Sequence, residues 1–371
     1  MYKLLPMTFC FLLVGCTSLL KDADQTLVKE VELNNEFEEM VQIKKQPEET
    51  KTKPEKKALR ANKEDTDKKQ AVKSSKKQKE AQKQKAKDIA EQKKTKVSKS
   101  KQKSDQVKKG KSMQEDQVQE VDTVEDKTGF EGRRPIHDPF RVGEKVVLDL
   151  SYFSMSAGKL TMEVLPFSEV NGNKTYTFRI DVKSSKMFSL FYKVDNWAET
   201  YVDYEKLVPY SHVVQTRETN QIKDSKSFFN WEENEAIFWE KKLTDKSKQP
   251  KVEKSTWELK PYAQNVISSI FYIRTFAYKD DKPYPFRVAD EGKNIIFTSQ
   301  VVDRETLKTK AGTFKTIKIK PKFTVNGTFK PVGDIFLWMT DDHRKLIVRI
   351  EAKIKIGSIV GEAEKVVLGK D

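Results

Sequence analysis

The C-terminal two thirds of this 371-residue chain predict a mainly β fold, a large curved antiparallel sheet in the form of a barrel, half-barrel or sandwich with one packed helix. Three observations carry that expectation. Beyond Phe140, apolar and polar residues alternate in stretch after stretch, the pattern of strands with one dry and one wet face. Asn171-Gly172 and Asn326-Gly327 each separate two such stretches, and Asn-Gly is the dipeptide that a two-residue type I′ hairpin turn favours. One segment alone, after Pro261, changes to a helical period.

The alternation is plainest in "KTYTFRIDV", where Tyr176, Phe178, Ile180 and Val182 interleave with Thr177, Arg179, Asp181 and Lys183. It recurs in "LIVRIEAKIKIG", with Val348, Ile350, Ala352, Ile354 and Ile356 on one side. In order, the pattern predicts strands near 144–154, 157–166, 174–184, 189–203, 207–217, 223–231, 235–242 and 252–258. It continues near 294–303, 313–323, 333–340, 345–356 and 358–367. Between the two groups, "YAQNVISSIFYIRTFAYK" places Tyr262, Val266, Ile270, Ile273 and Ala277 on one helical face, with Ile267 and Phe271 beside them. A single apolar helix among so many strands would cover or plug the inner face of a curved sheet.

Four segments share this order and spacing with a known family. "FRVGEKVVLDLSYFSMSAGKLTMEV", "YKVDNWAETYVDYEKLVPY", "KAGTFKTIKIKP" and "GDIFLWMTDDHRKLIVRIEAKIKIGSIVGE" resemble the exported domain-of-unknown-function 3108 family over about residues 139–368. The resemblance implies a periplasmic or lipid-anchored protein of a Gram-negative bacterium. It implies no catalytic residues, because that family has none established.

The N-terminus carries an address. Lys3, an apolar run from Leu4 to Val14 and a small residue at Gly15 make the three parts of a secretory signal. About eleven apolar residues are too few to span a membrane, which takes about 20. Leu13-Val14-Gly15-Cys16 resembles the bacterial lipobox, so residues 1–15 are read as the signal, with cleavage between Gly15 and Cys16 and lipidation of Cys16. Several acyl chains on one residue meet the requirement that stable anchoring takes more than one chain. Thr17 follows the cysteine where an inner-membrane lipoprotein often carries aspartate. That points to the outer membrane, with the protein facing the periplasm.

Residues 16–43 form the lipidated N-terminus, in which Leu33, Phe37, Met40 and Val41 would share one face of a short helix. Residues 44–128 hold no aromatic residue and are rich in lysine, with a net charge of about +11. Such a composition cannot offset its own ordering entropy, so a disordered Lys-rich tether is expected before a β-rich domain at 129–371. As a flexible coil about 85 residues span roughly 50 Å, and about 130 Å if helical, enough to carry a domain well away from the membrane. Export argues against nucleic acid as its partner, and the segment has no ring for base stacking. Anionic envelope polymers or lipids are the remaining partners for its charge, beside the membrane reached through the N-terminal lipid.

Catalysis finds little support. Cys10 and Cys16 are the only cysteines, and the three histidines match no metal-ligand spacing, so neither a metal nor a cofactor is expected. Asp341-Asp342-His343-Arg344 offers carboxylates beside an imidazole but falls between two strands, where turns use these residues. Trp197, Glu199 and Asp203 could line a pocket, although a packed tryptophan with exposed acids explains them as well. Gly158 and Gly312 each open a strand, where a bend or a close backbone approach needs glycine. No phosphate-cradling glycine loop is present.

"KMFSLFYKV" is apolar on both parities, with Met187, Phe188, Leu190, Phe191 and Tyr192. Burial between sheet and helix is one account. The other is an apolar cavity for an acyl chain, contacted by these five residues and Ile270. The sequence thus predicts a non-enzymatic binding or envelope-organising module on a lipid anchor. The alternative is a periplasmic carrier of lipid or lipoprotein acyl chains.

Overall fold

The computed structural model describes residues 33–46, 122–129, 134–247, 249–325, 328–330, 335–353 and 357–370. The Gly15-Cys16 step, the Asn326-Gly327 turn, Ile354 and Ile356 lie outside them.

The fold is mainly β. A meander of eight strands runs through β2 (Glu144–Tyr152), β3 (Met155–Val170), β4 (Asn173–Ser184), β5 (Asp195–Asp203), β6 (Pro209–Glu218), β7 (Gln221–Asn230), β8 (Glu235–Thr244) and β9 (Lys251–Glu258). After the helix come β10 (Pro283–Asp290), β11 (Lys293–Thr309), β12 (Gly312–Ile319), β13 (Lys322–Val325), β14 (Thr328–Lys330), β15 (Ile335–Thr340), β16 (Ile347–Lys353) and β17 (Ser358–Leu368). The C-terminal strand β17 closes back on β2, so both halves form one antiparallel sheet. β11 serves three ladders. Its first half pairs with β10 and β13, its second with β12, and the register shifts between Val301 and Asp303.

The hairpins follow local chemistry. Asn171 and Gly172 both stand at positive φ (49° and 80°) between β3 and β4, as a type I′ turn requires. β10 was not expected, because "PYPFRVAD" contains two prolines. It is tolerated since the prolines fall on the edge away from β11, where Gln264 bonds only further along, at Arg287 and Ala289. The expected strand at 189–203 is corrected: residues 188–190 form a 3₁₀ turn, and pairing resumes with the Val194–Glu218 bridge just before β5.

The helix is shorter than its apolar period implied. It spans Val266–Tyr272, opens on a capping box between Asn265 and Ser268, and continues as a 3₁₀ turn over Ile273–Thr275. It packs on the inner face of the curved sheet. Phe271 stacks on Phe178 of β4 at 4.1 Å, Tyr272 meets Phe286 of β10, and Phe286 meets Phe297 of β11. Strands distant in the hydrogen-bonded order therefore line one core, with the helix filling the space between them.

Two segments outside the expected 129–371 domain also belong to this fold. Residues 33–46 form α1 (Leu33–Met40) and β1 (Ile43–Lys45), which pairs with the end of β3. Phe37 and Val41 are buried in a second apolar cluster with Tyr201, Ile237 and Trp239, on the outer face of the sheet. Residues 122–129 carry α2 (Val124–Thr128), numbered ahead of the core helix, which becomes α3. Arg287 of β10 binds Asp126 at 2.8 Å, and the Tyr272 hydroxyl donates to Glu125. Residues 47–121 of the expected Lys-rich tether lie outside the described residues.

Candidate functional site

Five large apolar side chains are exposed at one end of the sheet. Phe153 and Met155 stand at the β2–β3 turn with 60% and 58% of their surface exposed. Met187, Leu190 and Phe191, in the β4–β5 loop, are exposed to 69%, 77% and 72%. Loop and turn are hydrogen-bonded neighbours: the Ser185 amide donates to the Ala157 carbonyl at 2.8 Å, and its hydroxyl to the Ser156 carbonyl at 3.0 Å. Single exposed apolar residues are ordinary, but a group of this size at one place marks a contact surface.

The expected burial of this segment between sheet and helix is corrected. Beyond Ser184 the chain leaves the ladder and tightens on itself, with the Ser189 amide donating to the Ser185 carbonyl. A loop at the end of a sheet has no second layer to cover it. Phe188 is half-buried. Tyr192 alone turns inward, where its hydroxyl meets Glu218 and Asn220 at 2.9 and 2.7 Å. Burial first, then the Glu218 charge, pushes the Tyr192 phenol well above its ordinary range. Ile270 stays on α3 against the main core, which the loop residues do not join. The six residues proposed as one apolar contact set are thus divided between an outer loop and the interior.

The β2–β3 turn has an unusual sequence for its shape. Phe153 and Ser154 both adopt positive φ, 48° and 61°, a conformation that glycine and asparagine take with far less strain than phenylalanine. Strain of about 1–3 kcal/mol per such residue is the kind retained at contact and switch sites. Lys186 and Lys193 bracket the loop, both exposed and outside the described ion pairs. A groove of about 540 Å³ adjoins it on the outer face of β2, β3 and β4. Lys145 pairs with Glu163 across β2 and β3 at 2.7 Å, and Arg179 with Asp181 along β4 at 2.8 Å, so the lining stays net basic. Gly158 shapes its floor: a Cβ there would stand 2.2 Å from the Lys183 carbonyl oxygen, so close strand approach demands glycine. Gly312 stands at φ 141°, a backbone requirement instead.

The remaining candidates are structural. Asp342 accepts from Thr340 and from the Arg344 and Lys345 amides, and so holds a turn; Asp341 pairs with Arg304. Arg344 points inward and joins Arg274 of the 3₁₀ turn on the buried Glu144 carboxylate. Glu199 is buried, not exposed. Burial would raise its carboxyl, but hydrogen bonds from Lys45, Tyr201 and Arg179 hold it below its ordinary range. Asp203 caps the β5–β6 turn and accepts from Tyr210. Among the described residues no group of three or more His, Cys, Asp or Glu could hold a metal, and no helix is long and apolar enough to cross a membrane.

The sequence had marked the loop but not its partner. Phe153 and Met155 carried a readable signal, one bulky residue inside a two-residue turn and one beside it in "SYFSMSAG".

Comparison with known proteins returns the family model described as "Protein of unknown function (DUF3108)" over residues 148–364. No curated protein matches. Among solved structures, a β-barrel-like protein of domain of unknown function DUF1849 from Brucella abortus is similar at 12% identity and a TM-score of 0.41, covering 61% of this chain and 98% of its own. A candidate exported protein with YmcC-like fold from Bacteroides fragilis is similar at 9% identity, TM-score 0.28, covering 62% and 98%. A candidate lipoprotein from Parabacteroides distasonis is similar at 12% identity, TM-score 0.24, covering 62% and 97%.

Proposed function

The chain belongs to the DUF3108 family of proteins of unknown function, and from that premise we propose that it is a lipid-anchored outer-membrane protein facing the periplasm, a non-enzymatic module that binds and organises envelope components. The observation that carries this reading is the docking of residues 33–46 on the fold. Only 16 residues, Thr17 to Glu32, then separate the cysteine of the lipobox from folded structure. Fully extended they reach about 55 Å, and as a flexible coil roughly 22 Å. The β domain is thereby a membrane-proximal body, and the charge of the basic stretch is what meets anionic polymers or lipids. Binding is favoured over catalysis because the carboxylates that might serve as acid and base are engaged in turns and ion pairs.

The test is expression of the full chain in a Gram-negative host. The expected result is a mature N-terminal peptide that begins at Cys16 and carries the mass of its acyl chains, in the outer-membrane fraction. A Cys16→Ser variant should leave that fraction. An N-terminus elsewhere, or an unmodified cysteine, would refute the anchor.

Carriage of an acyl chain is the second reading, favoured by the exposed apolar loop beside the groove. The interior offers it less, since aromatic rings from β4, α3, β10 and β11 contact one another across it. Native mass spectrometry of the gently purified full chain should show a bound lipid if a chain is carried; a bare mass would count against it.

A further inference from the structure

We infer that the apolar end of the sheet, formed by Phe153, Met155, Met187, Leu190 and Phe191, is a docking surface for an anionic phospholipid bilayer. This deepens the lipid-anchored reading and rests on it. Four observations converge on a bilayer as the occupant.

The first is the composition of the loop. "KMFSLFYK" places its apolar residues between Lys186 and Lys193, both exposed and both outside the described ion pairs. Apolar groups that enter the acyl boundary while flanking lysines meet phosphate are the arrangement by which proteins lie on anionic membranes. The second is shape: the apolar residues sit on turns that project from the end of the sheet, not in a concave seat that a protein segment would fill. The third is the strained β2–β3 turn, which keeps a phenylalanine at a position where asparagine or glycine would be easier. The fourth is tethering. β1 docks at the far end of β3, and the spacer of 16 residues, about 55 Å when extended, still lets the apolar end turn to the bilayer that holds Cys16. A weak surface then suffices, because the second contact is intramolecular.

The chain itself supplies a clean probe. Its only cysteines are Cys10, in the signal, and Cys16, which the lipid occupies. A Leu190→Cys variant, isolated as the full lipidated chain, has one free thiol for an environment-sensitive dye. A Glu233→Cys variant places the same dye on the exposed β7–β8 turn at the opposite end. Both go into vesicles of phosphatidylethanolamine with phosphatidylglycerol.

Expected at position 190 are a blue-shifted emission and several-fold stronger quenching by nitroxide-bearing lipid than at position 233. Lys186→Gln with Lys193→Gln, or vesicles of phosphatidylcholine alone, should reduce that difference. Equal exposure of both dyes to an aqueous quencher would overturn the proposal. So would protection at 190 that rises with protein density and persists in detergent, which would assign the surface to a second copy. The mass of the N-terminal peptide from the same preparation reports acylation separately, so failure of the anchor and failure of the docking surface are distinguished.

Discussion

His212 shows how much a single buried group can govern. It lies on β6 with 4% of its surface exposed, and its Nδ1 is buried without a hydrogen-bond partner. Burial first, then the charge of Lys223, lowers its pKa to about 4. The fold therefore requires the neutral ring. As pH falls below 6.5 the unfolded chain takes up a proton that the folded chain refuses until about pH 4, so stability from this group is full above 6.5 and lost toward 4. The loss amounts to on the order of 3 kcal/mol, at 1.36 kcal/mol per unit. Asp290 works in the other sense: burial and then the Glu291 charge raise its carboxyl, so its contribution falls as pH rises. The whole protein should thus show a flattened profile, and the difference from a His212→Asn variant is what isolates the histidine. Chemical denaturation of both at pH 4 and 6.5 should find the wild type losing most of its advantage at the lower pH. A pH-independent difference would refute the assignment. The strained turn makes a second residue-scale prediction. Replacing Phe153-Ser154 by Asn-Gly should raise stability by about 1 kcal/mol or more, measured by the same denaturation, while weakening vesicle contact.

The elements are held by a buried charge cluster that connects distant parts of the chain. Glu144, at the start of β2, accepts from Arg274 after α3 at 2.7 Å and from Arg344 before β16 at 2.5 Å, all three side chains nearly or fully buried. Both guanidiniums also donate to the Pro139 carbonyl, and Arg344 to that of Leu368. Glu144→Gln would leave two arginines facing each other without a counter-charge, so a loss of about 3–5 kcal/mol is expected. A change below about 1 kcal/mol in the denaturation midpoint analysis would show the cluster to be incidental. None of this was readable in advance, because the partners lie more than a hundred residues apart. What was readable was local. Alternation around Tyr176 to Val182 gave β4, and Asn171-Gly172 gave its turn. Helical spacing after Pro261 gave α3, though Asn265 as its cap was missed. The failures are physical as well. Prolines hid β10 because their acceptability depends on which neighbour a strand lacks. The apolar loop 187–192 read as buried because hydrophobicity marks contact without saying with what.

At the scale of the molecule, the docked strap decides how long a chain separates the fold from Cys16, the residue proposed to carry the lipid. Phe37 meets Trp239 edge-on at 5.7 Å, the Trp239 indole donates to Glu36 at 3.1 Å, and Asn171 of the β3–β4 turn exchanges hydrogen bonds with Gln42 and Met40. While these contacts hold, the chain between Cys16 and the first docked residue is 16 residues long. If they are lost, the lysine-rich stretch joins the spacer, and the first docked residue is near Asp122. The flexible-coil reach then grows from roughly 22 Å to about 56 Å. Phe37→Ala removes a buried ring, at about 3–5 kcal/mol, a large part of what an eight-residue helix and a three-residue strand can contribute. The variant should keep the β domain folded, since Phe37 is absent from the main core, while amides of residues 36–45 lose hydrogen-exchange protection. On vesicles bearing the lipidated chain, energy transfer from a dye at position 233 to acceptor lipid should fall as the domain moves outward. Unchanged transfer with unprotected strap amides would mean that the apolar end alone holds the domain at the bilayer. Unchanged protection would mean that the strap does not depend on Phe37, and the short-spacer argument would have to rest on the remaining contacts of β1.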